Sequence, residues 1–324
     1  MSVSMRFGVF PLGVAGSPDG VASGPPDDFG QIERAFVRLQ GDGPPLLVRM
    51  YVAWTGAGST ANVLSQVKEL VATPLNWDLV LAYRDADGDV DGWEAFVARV
   101  VSDYGRQIAA IQVTGEANLR GIPAAADGAW PRATEAMVRG VLAGAAAKRS
   151  SGASAAIGFA VSPELDPGGG EFWPAVADLG GRQFPAAVDY AGLDMYPDVF
   201  GPRIPVEELD GAVDWLLRGF RGHLAVAGIG PRTPIRICEN GWPTGPGRSP
   251  EQQADALEAV LRAVHTRRDE LNVTHWELFT LRDADSSNHD MFHQFGVLRD
   301  DYTPKPAFDR LRSLFAELSQ QAGA

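Results

Sequence analysis

The feature that most constrains this chain is a repeated alternation of short apolar runs with longer amphipathic ones. The apolar runs cover 6–13, 45–54, 77–84, 108–116, 155–162, 188–196, 234–240 and 273–281. None of them alternates cleanly between apolar and polar residues. A strand covered on both faces reads as a nearly continuous apolar stretch, because neither face meets water. A helical pattern follows each run. "DDFGQIERAFVRLQG" (27–41) opens on Asp, closes on Gly, and sets Ile32, Phe36 and Leu39 on one stripe. "STANVLSQVKELV" (59–71) repeats the device with Val63, Leu64, Val67 and Leu70. In "SPEQQADALEAVLRAV" (249–264) Ser249 can cap, Pro250 suits the first helical position and Gln252 completes a capping box. The weakest of the set is "GGGEFWPAVADLGG" (168–181), short and Gly-rich, which reads as mostly loop.

Eight strand–helix units predict an α/β fold, a single (β/α)8 barrel spanning residues 1–324, with a C-terminal helix at about 305–319. The competing layout is a doubly wound open sheet. That fold usually carries a glycine-rich phosphate loop after its first strand, whereas this turn reads "PLGVAGSPDG". The Gly- and Pro-rich stretches 12–26 and 163–170 fall between elements and read as long loops.

Charge and cysteine content narrow the function classes. The formal net charge of −13 disfavours nucleic acid or an anionic membrane as the main partner, since phosphate binding needs a basic face. A single cysteine, Cys238, rules out an intrachain disulfide. "MSVSMRFGVF" lacks a secretory apolar core, and no stretch approaches a membrane span of about 20 apolar residues. The expectation is a cytoplasmic protein whose oligomeric state the sequence leaves open.

Active-site groups of such a barrel lie at the carboxyl ends of its strands. The fourth run ends in Glu116 ("VTGEANL") and the seventh in Glu239 ("RICENGWPTG"). The sixth ends in Asp194 and Tyr196, the second carries Arg49 and Tyr51, and the eighth carries Trp276 and Glu277. Two strand-end glutamates suggest a carboxylate pair whose environments keep one protonated and the other ionised. Glycoside cleavage is the main chemistry that needs such a pair.

These residues resemble the retaining (β/α)8 glycoside hydrolases of clan A. "CENGWPT" is similar to the Glu-Ser-Gly-Trp-Pro segment of the β-1,3-glucanase family in that clan. "LDMYPD" resembles the Tyr-Pro at the end of that family's sixth strand, and "FGVLRDDYTPKPAF" (295–308) the passage into the last helix. The resemblance implies a retaining hydrolase acting on a carbohydrate or glycoside without cofactor or metal. It implies Glu116 as general acid/base and Glu239 as nucleophile. Arg49 would orient Glu239 and keep it ionised, Tyr196 would hydrogen-bond it, and Trp276 would form an apolar floor for the sugar. Tyr51, Asn118, Trp242 and Asp283 complete the expected substrate-binding set. Loop anchoring is the alternative for Trp242, as for Trp173, and loop capping the alternative for Asp283.

The chain departs from the family at "GEAN" (115–118), which keeps only the Glu and the final Asn of Asn-Glu-Pro-Asn. Gly115 replaces an Asn that contacts the sugar 2-hydroxyl, a contact that supplies several kcal/mol in the transition state. Gly115 and Ala117 therefore favour a competing reading, a non-catalytic carbohydrate-binding or regulatory protein on a glycosidase-like barrel. A metal-dependent sugar isomerase is a third. It needs several His and carboxylate ligands at strand ends, and only His275 lies within a strand run. His289 and His293 are four apart, but in a segment that reads as loop. Cys238, next to Glu239, reads as a buried wall residue rather than a nucleophile.

Overall fold

The computed structural model describes residues 5–166 and 169–320. Positions 167 and 168 of the loop expected over 163–170, and the first four residues of the N-terminal stretch, lie outside the described residues. Eight strands, β1 (Arg6–Phe10), β2 (Leu47–Trp54), β3 (Asn76–Tyr83), β4 (Ala110–Val113), β5 (Ala156–Val161), β6 (Tyr190–Asp194), β7 (Ile235–Asn240) and β8 (Val273–Phe279), make up the main sheet. They close into a parallel barrel in which each strand neighbours its predecessor and successor and β8 returns to β1. The fold is a single (β/α)8 barrel.

All the strands but β3 are shorter than the apolar runs, for local reasons. Proline at position 11 brings no backbone donor to continue β1. β4 stops at Val113 because Thr114 and Glu116 take left-handed backbone angles, φ +66° and +48°, which an extended ladder cannot accommodate. The stretch 12–26 is not all loop: Ala15–Ser17 and Gly20–Ala22 pair as a small antiparallel hairpin. Residues 172–180, read as mostly loop, form a nine-residue helix, Phe172–Gly180. Its Trp173 is fully buried against Phe159, Phe220 and His223, and this packing outweighs the poor local propensity.

The chain gathers into two compact units. One comprises Leu47–Asp194 and Gly219–Ile235. Here β2 and β3 run in register, Arg49 beside Asp78 and Trp54 beside Tyr83. Trp54 and Tyr83 join Trp93 and Phe96 of the helix Val90–Tyr104 in an aromatic cluster with centroids 5.4–6.1 Å apart. All four rings are buried, and removing one such ring costs on the order of 3–5 kcal/mol. The helix Ala133–Ser151 closes on this cluster at Gly140, where an added Cβ would stand 2.7 Å from Trp93 and from Val113.

The other unit runs to Leu46 and adds Met195–Arg218 and the chain from Arg236 onward. The helix Phe29–Gln40 is capped by Asp28 and stopped by Gly41 at φ +53°, and buries Ile32 and Leu39 with Phe36 at its edge. The helix Pro250–Thr266 carries the complete Ser249–Gln252 capping box. The last helix, Pro306–Gln320, lays Phe315 flat on Phe7 of β1 at 4.4 Å. Among the described residues no helix is long and apolar enough to cross a membrane.

Candidate active site

At the end of β7, Glu239 is the penultimate strand residue and half-buried. The Tyr196 hydroxyl donates to its Oε2 at 2.6 Å. Backbone geometry fixes this pair. The Met195 amide donates to the Glu239 carbonyl at 2.9 Å, and the Asn240 side chain donates back to the Met195 carbonyl at 2.8 Å. Tyr196 therefore cannot shift without moving the strand end it grips. Its ring is held edge-on by Phe200, Phe295 and Phe279 at 5.3–6.2 Å. Gly241 follows because a Cβ there would lie 2.0 Å from the Phe279 carbonyl oxygen. The "ENG" of the sequence thus records a carboxylate, its anchoring amide and a close passage of backbone.

At the end of β4 the local backbone is different. Glu116 lies on a left-handed turn with Thr114, two positive-φ residues around Gly115. The Ser162 hydroxyl, just past β5, donates to Glu116 Oε1 in a short hydrogen bond. Asn118 holds that serine: its Nδ2 donates to the Ser162 carbonyl at 2.9 Å and to Glu164 at 3.0 Å, while its Oδ1 accepts from the Ser162 amide at 3.0 Å. Asn118 thus acts on Glu116 through Ser162, which the sequence reading missed. An Asn two residues past a strand-end Glu was the only signal available.

Arg49 is fully buried on β2. Its Nε donates to Tyr51 at 2.7 Å and one terminal nitrogen to Gln112 at 2.9 Å. Gln112 in turn donates to the Thr114 carbonyl at 2.9 Å, so Arg49 and Tyr51 are linked to the β4 turn.

Three expected substrate contacts stand elsewhere. Trp276 is fully buried with its ring against Phe315 of the last helix at 6.0 Å, so it cannot floor a sugar site. The half-exposed aromatic at the end of β8 is Phe279, stacked on Phe10 at 5.4 Å. A strand buried on both faces offers no alternation that could have separated the two positions. Trp242 is a loop anchor. Its Nε1 donates to Asp198 at 3.2 Å, its carbonyl accepts from Gln253, and Arg203 and Arg248 lie over its ring at 5.1 and 4.7 Å. Asp283 is an internal ion-pair partner, 2.7 Å from Lys305 with both side chains buried. Burial pushes the Asp283 carboxyl up and the Lys305 ammonium down, and their attraction opposes both shifts. Lys305 also donates to Thr244 at 2.8 Å, which pins the loop after β8 to the loop after β7. Trp173 is the helix core residue already described, and Cys238 is buried. Among the described residues no group of three or more His, Cys, Asp or Glu could hold a metal ion.

No family model matches the chain, and no curated protein matches it. Solved structures do. A β-glucosidase, 1317, aligns over 98% of this chain and 98% of its own, at TM-score 0.62 and 14% identity. The two share a (β/α)8 barrel fold. An exo-β-1,4-mannosidase from Opitutaceae bacterium strain TAV5 aligns over 99% of this chain and 60% of its own, at TM-score 0.62 and 14% identity. A β-glucuronidase from Ruminococcus gnavus aligns over 97% of this chain at TM-score 0.61 and 14% identity, and this chain spans about half (49%) of its length. At these identities the likeness is one of fold.

Proposed function

We propose that this chain is a retaining O-glycoside hydrolase with Glu239 as nucleophile and Glu116 as general acid/base. The observation that carries the reading is the Tyr196–Glu239 hydrogen bond of 2.6 Å at the end of a barrel strand. A donor at this distance aims one oxygen of the carboxylate, as a nucleophile requires. The fold relatives named above are glycosidases, which favours the same chemistry by analogy.

In the first step a Glu239 oxygen attacks C1 as the bond from C1 to the leaving oxygen breaks, and Glu116 gives that oxygen its proton. In the second, Glu116 takes a proton from water, the water oxygen bonds to C1, and the bond from C1 to Glu239 breaks. Retention needs the two carboxyls about 5–5.5 Å apart. Phe279 supplies an apolar face to the sugar, the role first expected of Trp276. Phe200, 57% exposed and in edge contact with Tyr196, extends that face. The lone cysteine, which can form no intrachain disulfide, favours a reducing compartment, and we place the enzyme in the cytoplasm on that ground.

Hydrolysis of a panel of activated aryl glycosides by wild type and Glu239→Gln tests the reading. Cleavage of one sugar by the wild type, lowered on the order of 10⁴-fold in the variant, is the expected result. Cleavage that survives in Glu239→Gln removes that residue from the mechanism. One observation favours a carbohydrate-binding protein instead. A Cβ added at Gly115 would meet nothing within 4 Å, so the place where the family's Asn side chain begins stands open. Sugar affinity without turnover is the result that would select that reading.

A further inference from the structure

We propose that Asp127, fourteen residues beyond the end of β4, is the positioning residue for Glu116, tying the ends of β3 and β4 together beneath the turn that carries it. The proposal rests on the acid/base assignment of Glu116 made above. Asp127 is fully buried. Its Oδ2 accepts from the Tyr83 amide at 2.7 Å, at the end of β3, and from the Gly115 amide at 2.8 Å. Its own amide donates to the Gly115 carbonyl at 2.7 Å. Gly115 is thus held on both sides by one residue. The next amide, of Gly128, donates to the Glu116 carbonyl at 3.3 Å, and the Leu119 amide donates to the same oxygen at 3.0 Å. Gly128 lies so close that an added Cβ would stand 2.5 Å from the Leu119 carbonyl oxygen and 2.8 Å from that of Ala117.

These tethers have a cost to offset. A β-branched residue at φ +66° and a glutamate at φ +48° each sit in a sparsely populated region, at a cost that persists only where surrounding structure over-determines the backbone. The Asp127 bonds supply that over-determination around the residue between them. Two of them join Asp127 to Gly115, the residue before Glu116, one anchors it to Tyr83 of β3, and the neighbouring Gly128 amide holds the Glu116 carbonyl, so together they set the direction in which the Glu116 side chain leaves the barrel rim.

The carboxylate is also poised to change state. Burial pushes Asp127 up to about 7, against the pull of the Gly115 and Tyr83 amides and of Arg84, whose Nε lies 3.7 Å from Oδ1. Arg84 is the cation on β3's flank, the Tyr83 hydroxyl is pushed up to about 12 by burial and stays neutral, and Glu116 is the titratable group on the tethered turn. The ionised carboxylate accepts both amides more strongly than the neutral acid does.

The test compares wild type with Asp127→Asn on aryl glycosides of graded leaving-group acidity. A misaimed acid matters only when the leaving group needs a proton. We expect kcat/KM for poor leaving groups to fall about 10- to 100-fold, with dinitrophenyl glycosides nearly unaffected. An equal loss across the series marks a general structural role and overturns the proposal, as does no loss. A second measurement does not depend on turnover or on the variant folding. The amide NMR signals of Tyr83 and Gly115 in the wild type should shift together, with one midpoint near 7. Separate midpoints for the two amides overturn the tether. If the wild type cleaves no glycoside while the two amides titrate together, the glycosidase reading fails and the tether stands.

Discussion

The ends of β4 and β7 each present a glutamate, and they hold it in opposite ways. At β7 the chain stays in the strand through Glu239, and a side chain, Tyr196, grips the carboxylate. At β4 the strand ends three residues earlier, the backbone turns left-handed, and Asp127 grips the main chain around Gly115. A regular strand end needs only one good donor to aim a carboxylate. A strained turn needs its backbone held as well, by residues distant in sequence. The β7 side should therefore respond to side-chain deletion through chemistry alone, and the β4 side through chemistry and stability together.

The largest effect expected from this contrast comes from Glu116→Ala. Loss of a general acid/base costs about 10²- to 10⁴-fold, so kcat/KM on poor leaving groups should fall by that much. Azide should restore turnover on activated substrates by taking the place of the activated water. Absence of rescue with a substrate that still glycosylates the variant would take Glu116 out of the second step.

Tyr196→Phe comes next. It deletes one charge-assisted donor to Glu239 and leaves the ring, with its three aromatic neighbours, in place. Bonds to charged groups contribute about 1.5–3 kcal/mol, so kcat/KM should fall roughly 10- to 150-fold with little change in Tm. A Tm loss as large as the activity loss would erase the contrast between the two strand ends.

The last expected effect is one of stability rather than rate. In the unfolded chain Asp127 ionises near 3.8, whereas in the fold it holds its proton to about 7. The folded state binds the extra proton between these values, so this contribution is fully present below about pH 4 and is lost as pH rises through 7. It amounts to about 4 kcal/mol, with the lowering by Arg84 and the two amides already included in the value of about 7. Chemical denaturation at pH 5 and pH 8 should show wild type losing stability relative to Asp127→Asn across that window. Parallel stabilities at both pH values would mean that Asp127 does not hold its proton to about 7 in the fold.

Much of the fold was legible because its signals are local. Continuous apolar runs gave the eight strands, since a strand covered on both faces carries no polar phase. Asp28 with Gly41, and Ser249 with Gln252, marked helix ends because capping is settled within four residues of chain. Glu239 and Tyr196 could be paired only through family likeness, and Trp242 could be read equally as anchor or sugar platform. The helix Phe172–Gly180 escaped because its stability comes from the burial of Trp173 rather than from its own glycine-rich ends.

By itself the sequence determined the order of strands and helices, the glutamates that end the fourth and seventh runs, and the lone cysteine. These depend on residue type and on spacing along a few turns of chain. Tertiary structure decided which side of β8 Trp276 faces, that Asp283 finds Lys305 22 residues away, and that Asp127 reaches back 44 residues to Tyr83. The side of a doubly buried strand is set by register with its neighbours, and a buried carboxylate's partner by where the closed barrel brings two loops together. Neither leaves a trace in the periodicity of the chain that carries it.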